Sequence, residues 1–457
     1  MQQSVTWQDG LTGNRLYFGI LAVSLATALG MLDSVIANVA LPTITKTIHT
    51  SPSDSVWIVN AYQLSIIMSL LPLSSLGDRV GYARIYMGGL ALFTCSSLMC
   101  AMSRSLDALI FARVLQGFGA AGISSVNTAL IKTIYPSRLL GRGVGINASI
   151  VSISTAAGPT VAAAILSVAP WPWLFAINVP LGVITLFVSF SALPRPPLTK
   201  TPYDYGSALL NASAFGLLVL GVDRMGHGNG ISAGVTIQFA AAALCAWLLV
   251  RRERGRAQPL LPVDLLLRPV FLLAVLTSIC SFTAQMLAFV SLPFMLQDTL
   301  GHSAMETGAL ITPWPLAIII VAPVAGTLSN RYEAGALGGV GLTILAAGLV
   351  LLALLPAHPA PFDIGWRMAV CGIGFGLFQT PNNRAILAAA PPGRTGNASG
   401  MIGTSRTLGQ TLGAVLTALI LMVAPGHAGP VALTTGAIFA MAAAMLSLSR
   451  LVRRRPM

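Results

Sequence analysis

The chain has 457 residues, of which 55% are hydrophobic and only 9% are charged, and its formal net charge is +13. Soluble domains carry roughly a quarter of their residues as Asp, Glu, Lys and Arg, so this composition excludes an ordinary soluble fold. The basic residues lie between apolar runs and not along one stripe with interleaved aromatic residues, which favours membrane topology signals over a nucleic-acid-binding surface.

Apolar runs of about 20 residues, long enough for a helix to cross the hydrocarbon core of a bilayer, recur along the whole chain. We therefore predict an all-α integral membrane protein with fourteen transmembrane helices. The predicted helices lie near residues 15–40, 54–76, 84–103, 107–132, 139–166, 171–193, 204–222, 231–250, 270–296, 305–329, 335–356, 364–390, 396–423 and 431–450.

The distribution of Lys and Arg predicts the orientation of these helices. If the N-terminus is cytoplasmic, the loops and termini on that side hold 20 of the 26 Lys and Arg residues, and the opposite side holds four. Because positive residues are enriched on the cytoplasmic side of membrane proteins, both termini are predicted to be cytoplasmic. Tryptophans then lie at the outer ends of their helices, as interfacial anchors do, at Trp57, Trp171, Trp173 and Trp366.

The first six and the last six predicted helices resemble each other, as in transporters that are built from repeated bundles. Residues of the first set recur 255 or 256 positions later: Asn127, Pro136, Arg138, Gly145 and Gly158 recur as Asn383, Pro392, Arg394, Gly400 and Gly413. We therefore predict two six-helix bundles, at residues 1–198 and 258–457, with two inserted transmembrane helices at residues 199–257.

Asp33 is the one acidic residue among thirteen that is predicted to lie well inside a helix. A charged Asp at a helix centre is unfavourable by about 2.5 to 3.5 kcal/mol on insertion scales, so Asp33 is a functional candidate; the alternative is a protonated or hydrogen-bonded packing residue. Arg113 is predicted at the same depth, about 10 Å from the outer end of its helix, so the two side chains can meet if their helices pack. Such a pair could bind and release a proton, whereas the alternative is a static ion pair that fixes two helices.

Two other segments stand out for their residue types. The short turn after the second predicted helix carries Asp78, Arg79, Gly81 and Arg84, whose charged side chains can cap or pair across helix ends. The fifth predicted helix contains Gly158 and Pro159; a small residue allows a close helix approach, and proline kinks a helix.

Polar and aromatic residues inside the predicted helices are candidates for a central ligand cavity, although each of them could instead form interhelical hydrogen bonds. These residues are Asn38, Tyr62, Gln63, Asn147, Gln285, Trp314, Gln379, Asn382, Asn383 and Arg406. Arg406 has no acidic residue left inside a helix to neutralise it. It therefore either hydrogen-bonds helix carbonyls and amides or meets an anionic group of a ligand.

Metal, nucleotide and catalytic sites are not indicated by the sequence. The five cysteines lie inside apolar runs without ligand spacing, and no glycine cluster follows a strand or forms a phosphate-binding loop. The five histidines lie in loops or at helix ends, whereas an intramembrane enzyme would place such groups at helical spacing inside the membrane. We therefore expect no metal, no cofactor and no enzymatic activity.

Four motifs together resemble the major facilitator superfamily, specifically its fourteen-span drug:proton antiporter branch. The matching segments are Leu32–Pro42 in the first helix, Asp78, Arg79 and Gly81 in the following loop, Arg113 and Gln116 in the fourth helix, and Gly158 and Pro159 in the fifth. Within this branch the chain resembles uncharacterised enterobacterial members.

The resemblance implies a proton-coupled antiporter, driven by the proton gradient, that exports amphiphilic compounds, cationic ones included, across the bacterial inner membrane by alternating access. On this interpretation Asp33 binds the proton, Arg113 and Gln116 support it, and the charged loop after the second helix latches the outward-facing state. The alternative is an exporter of a specific metabolite such as an amino acid, a sugar or a siderophore. The expected partners are a small-molecule substrate, protons and the lipid bilayer, without nucleic acid, and the chain is expected to act as a monomer.

Overall fold

The computed structural model describes residues 10–194, 203–227, 232–254, 262–390 and 395–452, and within these ranges the secondary structure is helical without strands. The first ten helices are α1 Gly13–Ile48, α2 Pro52–Ser55, α3 Trp57–Val80, α4 Tyr82–Met102, α5 Leu106–Ile134, α6 Leu140–Val168, α7 Trp173–Ala176, α8 Asn178–Ala192, α9 Tyr205–His227 and α10 Ala233–Glu253. The remaining helices are α11 Val263–Leu266, α12 Pro269–Phe294, α13 Ala304–Ile311, α14 Pro313–Leu328, α15 Ala334–Ala353, α16 Pro361–Ala388, α17 Thr395–Val423 and α18 Ala428–Val452.

Thirteen helical segments in the described part of the chain are long and apolar enough to cross a membrane, which confirms a many-helix membrane protein. The predicted helix near residues 364–390 corresponds to α16, which has 28 residues but is not among the thirteen. Its charged Asp363 and Arg367 and its polar end, with Gln379, Asn382 and Asn383, make it less apolar than its neighbours. The count of fourteen and the cytoplasmic position of the termini stay predictions.

Glycines set the closest helix contacts in both halves of the chain. A Cβ atom at Gly89 of α4 would lie 2.8 Å from the carbonyl oxygen of Gly119 on α5. In the same way, a Cβ atom at Gly341 of α15 would lie 2.6 Å from the carbonyl oxygen of Gly374 on α16. Only glycine allows the backbones to approach this closely, so the same glycine packing joins one helix pair in each half.

The buried apolar residues form separate clusters along the chain. One large cluster is built only from residues of α12 to α18 and includes Trp314 and Phe375, and another is built around Tyr86 and Phe93 from α1, α3, α4 and α5. A third cluster joins residues of α1 and α3 with residues of α12 and α17. These clusters describe how the helices pack; the division of the chain at residues 198 and 257 stays a prediction.

The helices of the predicted insertion, α9 and α10, pack against each other, and α9 also contacts α3 and α17. Their ends are joined by Arg252, which donates to both carboxylate oxygens of Asp204 at 2.9 and 3.2 Å, and by Ser207, whose hydroxyl lies 2.5 Å from a carboxylate oxygen of Glu253. The inserted pair therefore lies along the line where α3 meets α17.

Candidate functional site

The centre of the candidate site is Asp33, in the middle of α1, which is only 2% exposed. Its Oδ2 accepts a hydrogen bond from Arg113 Nη1 at 2.7 Å, which is also an ion pair. Its Oδ1 accepts from Gln116 Nε2 at 2.9 Å and from Asn178 Nδ2 at 2.8 Å. The carboxylate is thus surrounded by three donors that come from α5 and α8, and the two residues placed at equal depth by the sequence are in contact.

Arg113 is fully buried, and each part of its guanidinium has a neighbour. Its Nε donates to the carbonyl oxygen of Ile58 at 3.0 Å, and its Nη1 donates to Gln116 Oε1 at 2.6 Å as well as to Asp33. Its central carbon lies 4.0 Å from the ring centroid of Tyr62 and 5.5 Å from that of Phe175, so two aromatic rings enclose the cation. The charge of Arg113 is therefore satisfied by one carboxylate, one backbone carbonyl, one amide oxygen and two rings.

Gln116 connects this ion pair to α4. Residues 113 and 116 are three positions apart and therefore share one face of α5, which lets both reach Asp33. The Gln116 amide nitrogen also donates to Ser97 Oγ at 2.8 Å, and its oxygen accepts a weak bond from Cys100 Sγ at 3.6 Å. The Asp33 site therefore extends across α1, α4, α5 and α8.

Asn178 and Ser97 are the members of this site that the sequence analysis missed. Asn178 is the only amide in the predicted helix at residues 171–193, and the same criterion had selected Asn147 in the fifth predicted helix. A systematic search for polar residues inside apolar runs would therefore have found Asn178. Ser97 lies beside Thr94 and Ser96, whose hydroxyls donate to carbonyl oxygens of their own helix, as the Ser97 hydroxyl also does, so the sequence gives no comparable signal for Ser97.

The Gly158 and Pro159 motif lies where three helices meet. A Cβ atom at Gly158 of α6 would lie 2.6 Å from Val35 Cγ1, two residues after Asp33 on α1. A Cβ atom at Gly308 of α13 would lie 2.6 Å from the carbonyl oxygen of Pro159. The motif thus brings α6 against the Asp33 helix on one side and against a helix of the second half on the other.

The charged turn between α3 and α4 is closed by contacts within itself. Gly81 adopts φ +107°, a backbone conformation that favours glycine, and ends α3. Tyr82 donates its hydroxyl proton to Asp78 Oδ1 at 2.5 Å, and Arg79 donates to the carbonyl oxygen and hydroxyl of Ser75. Arg84 donates to the carbonyl oxygen of Val80 at 3.2 Å. These contacts stabilise the turn, and the latch role of Asp78, Arg79, Gly81 and Arg84 stays a prediction.

The ten residues predicted to line a cavity have different surroundings. Asn382 donates to the carbonyl oxygen of Ala274 at 3.0 Å and accepts from Arg450 at 2.9 Å, so it joins helices, and Trp314 is fully buried with its ring 5.1 Å from that of Phe289. Tyr62 covers Arg113, and Asn147 accepts from Asn127 at 3.3 Å. Three further members are buried, namely Asn38, Gln63 and Gln285. Gln379, Asn383 and Arg406 are half-buried.

The two halves of the chain contact each other through α1 and α6 on one side and through α17 and α3 on the other. Gln297 Nε2 donates to the carbonyl oxygen of Val39 at 3.1 Å, and Lys46 forms an ion pair with Asp298 at 2.8 Å. The hydroxyls of Thr160 and Thr312 lie 2.9 Å apart. By the predicted topology these contacts lie toward the outer side, and the Asp33 site lies on the same helix, α1, about 9 Å from Val39 at 1.5 Å per residue.

This fold and this buried polar site define a many-helix membrane transporter. Residues 23–414 match the Major Facilitator Superfamily, and the chain therefore belongs to this family. Its substrates are small molecules and its surroundings are the lipid bilayer, so the prediction of a transporter and not an enzyme is confirmed.

Relatives of the chain have several functions. It is 51% identical over 98% of both chains to the uncharacterized transporter YebQ of Escherichia coli K12. It is 30% identical over 86% of both chains to the riboflavin transporter RibZ of Clostridioides difficile. It is also 30% identical, over 86% of this chain and 74% of the other, to the multidrug resistance protein Stp of Mycobacterium tuberculosis. The expected resemblance to an uncharacterised enterobacterial member is confirmed.

A solved structure with the same fold is the bacterial homologue of the human lysosomal transporter Spinster, in an inward-facing and unoccupied conformation. It covers 98% of this chain with a TM-score of 0.69 and 16% sequence identity. At this identity the likeness shows the fold alone.

Proposed function

We propose that the chain is a proton-coupled antiporter that exports amphiphilic compounds across the bacterial inner membrane by alternating access. The observation that carries the proposal is the buried Asp33, paired with Arg113 and enclosed by amides. Among the described residues Glu253 is the one other buried acid, and it is the last residue of α10 and thus lies at a helix end. Asp33 is therefore the acidic group best placed to carry a proton through the membrane interior.

Protonation of Asp33 would change the balance of charge around Arg113. The ionised carboxylate neutralises the guanidinium, and a buried cation that loses its only counter-charge is strongly destabilised. Arg113 also bonds to Ile58 and packs on Tyr62, both in α3. The protonation state of one residue on α1 therefore acts on α3 and α5 at once, which is what a switch between two helix arrangements requires.

The same helix connects this site to the contacts between the halves. Val39 and Lys46 of α1 hold Gln297 and Asp298, so a movement of α1 that follows protonation would loosen or strengthen these bonds. Gly158 and Pro159 would serve as the close contact about which α6 moves, and the turn with Asp78, Arg79, Gly81 and Arg84 would latch the other side. A proton that enters through a potential of 100 mV supplies about 2.3 kcal/mol to drive the cycle. The proposed transporter needs no cofactor and works as a monomer.

The export of toxic compounds is favoured by relatives such as Stp, whose name records multidrug resistance. A second candidate function is the transport of one specific metabolite, and the riboflavin transporter RibZ at the same identity favours it. A growth-inhibition panel in an efflux-deficient host separates the two. Protection against several unrelated amphiphiles supports the first function, and protection against none of them, with transport of one metabolite, supports the second.

Proton coupling is tested with Asp33→Asn in membrane vesicles that carry an imposed pH gradient. The wild type accumulates the cargo found in the growth panel, and Asp33→Asn does not accumulate it. Asp107→Asn, the same change at an exposed residue in the first turn of α5, is the matched control and keeps wild-type transport. Gradient-driven accumulation by Asp33→Asn would overturn the proposed coupling.

A further inference from the structure

Arg406 differs from the other buried or half-buried arginines of the described helices. Arg113 pairs with Asp33, Arg367 pairs with Asp363 at 3.0 Å, and Arg450 donates to Asn382 at 2.9 Å. Arg406 forms no hydrogen bond and no ion pair with any described residue, although its guanidinium carries five N–H donors. The first of the two possibilities left open by the sequence, hydrogen bonding to helix carbonyls and amides, is therefore not what the structure contains.

The position of Arg406 on α17 directs it to the space between the two halves of the chain. Ser399 lies seven residues earlier, and residues seven apart in an α-helix differ in direction by only about 20°. The Ser399 hydroxyl is 3.4 Å from that of Thr128 on α5, in the first half of the chain. Gly403, one turn before Arg406, faces Leu70 of α3, with 3.6 Å between a Cβ atom at Gly403 and the leucine methyl. Arg406 thus faces the helices that carry the proton site.

Arg406 also lies within electrostatic reach of Tyr62, the residue that covers Arg113. The guanidinium of Arg113, which Asp33 neutralises, lies 4.0 Å from the Tyr62 ring centroid. The guanidinium of Arg406, which has no counter-charge among the described residues, lies farther from this ring. Asp33 is occupied by Arg113, so it does not compensate the second charge. A guanidinium stays ionised in proteins, and inside a membrane protein an ionised group without a counter-charge marks a ligand pathway or an ion site.

We infer that Arg406 binds an anionic group of the cargo, so that the transported compounds are amphiphilic anions. A planar guanidinium can donate two parallel hydrogen bonds to a carboxylate, sulfonate or phosphate group, and these charge-assisted bonds are stronger in a site of low dielectric constant. Leu70 of α3, which faces Gly403 one turn before Arg406, is an apolar neighbour on the same side of α17. The inference rests on the proposed transport function and replaces the sequence-based expectation of cationic cargo.

The inference is tested by equilibrium binding, without a gradient. Thermal unfolding of the purified protein in detergent is measured with 2-naphthoate or dansylglycine. The same measurement is made in parallel with the uncharged amides 2-naphthamide and dansylglycinamide. The two acids raise the melting temperature of the wild type more than their amides do, and their apparent affinity falls about ten- to a hundredfold in Arg406→Gln. Arg406→Lys, which keeps the charge without the planar fork, retains part of the affinity. The matched control Arg104→Gln, at an exposed loop residue, binds like the wild type.

Three outcomes of the binding experiment contradict the inference. If neither acid stabilises the wild type more than its amide, or if Arg406→Gln binds the acids as well as the wild type, Arg406 is not an anion site. If tetraphenylphosphonium, a lipophilic cation, stabilises the wild type more than either acid does, the cargo charge is opposite to the one inferred. Anion binding that survives in a protein without gradient-driven transport would remove the proposed coupling and leave this inference in place.

Discussion

Asn178 lies 145 positions after Asp33 in the chain, yet its amide nitrogen is 2.8 Å from a carboxylate oxygen of Asp33. Asn178 is the first residue of α8, and the preceding short helix α7 places Phe175 over Arg113. One corner of the chain therefore contributes to both partners of the ion pair. An amide N–H forms a stronger hydrogen bond with the ionised carboxylate than with the protonated acid.

The first prediction is that Asn178→Leu weakens the Asp33 site. The variant removes one of the three donors that hold the carboxylate. We expect gradient-driven transport to fall about tenfold, since one hydrogen bond to a charged group contributes about 1.5 kcal/mol. Asn211→Leu removes an amide of α9 that donates to the carbonyl oxygen of Met68 at 3.0 Å, and it should keep the wild-type initial rate. An equal loss of transport in both variants would contradict this role of Asn178.

The second prediction concerns the energy of the buried ion pair. Arg113→Leu leaves Asp33 without a counter-charge, and removal of one member of a buried pair destabilises a protein by about 3 to 5 kcal/mol. The double variant Asp33→Asn with Arg113→Leu removes both charges and should be more stable than the sum of the two single changes indicates. The measurement is thermal unfolding of the four purified proteins in one detergent. Additive effects would mean that the two charges do not stabilise each other.

The third prediction uses two glycines of the same helix. Gly158→Ala places a Cβ atom 2.6 Å from Val35, so α1 and α6 must separate, and overpacking of this kind destabilises by about 1 to 3 kcal/mol. Gly145→Ala meets nothing within 4 Å and should be neutral or slightly stabilising, because alanine favours helix formation. Melting temperatures and transport rates of the two variants test the difference. Equal effects would show that α6 does not pack as closely on α1 as the structure indicates.

The fourth prediction concerns Lys46 and Asp298, which join α1 to the second half at 2.8 Å. Their side chains are 67% and 37% exposed, and such exposed ion pairs contribute about 1 kcal/mol or less. Asp298→Lys should therefore change the transport rate by less than about fivefold, and the charge swap with Lys46→Asp should restore it. Initial rates at low and high salt are the measurement, because salt screens an exposed pair. A loss of transport that the swap does not restore would indicate a different role for Asp298.

Part of this site could be predicted from the sequence. Asp33 stands out because acids are rare inside apolar helices, and counting residues from the helix ends placed Arg113 at its depth. When a helix is apolar on all sides, the spacing of its apolar residues does not predict which face points to the protein interior. For that reason the sequence does not show that Tyr62 covers Arg113, that Asn382 joins helices or that Trp314 is buried, and the cavity itself stays a prediction.

The sequence also does not predict whether a buried arginine such as Arg406 has a hydrogen-bond partner. The sequence shows that Arg406 has no acid left to pair with, but helix carbonyls and amides are present everywhere. The structure shows how α17 packs against α3 and α5. In this arrangement no described residue forms a hydrogen bond with the Arg406 guanidinium. The charge of the cargo is therefore an inference from three-dimensional structure.

The fifth prediction combines the proton at Asp33 with the anion at Arg406. Exchange of one entering proton for one leaving monovalent anion moves two positive charges inward, and a potential of 100 mV then supplies about 4.6 kcal/mol for each cycle. Exchange of one proton for one monovalent cation moves no net charge. Export of 2-naphthoate from proteoliposomes should therefore be accelerated by a potential that is negative inside the proteoliposomes. Potassium and valinomycin set this potential.

Variants of Arg406 and Asp33 separate the contribution of anion binding from the contribution of proton coupling to naphthoate transport. Arg406→Gln should lose naphthoate transport through weaker binding, whereas Asp33→Asn should still bind naphthoate but lose its response to the pH gradient. Arg104→Gln, with the same change of charge outside the helices, should keep both responses. Naphthoate transport that responds to the pH gradient but not to the potential would be inconsistent with an anion leaving as a proton enters. In that case the anion and a proton cross in the same direction, because a neutral acid that leaves in exchange for an entering proton still moves one positive charge.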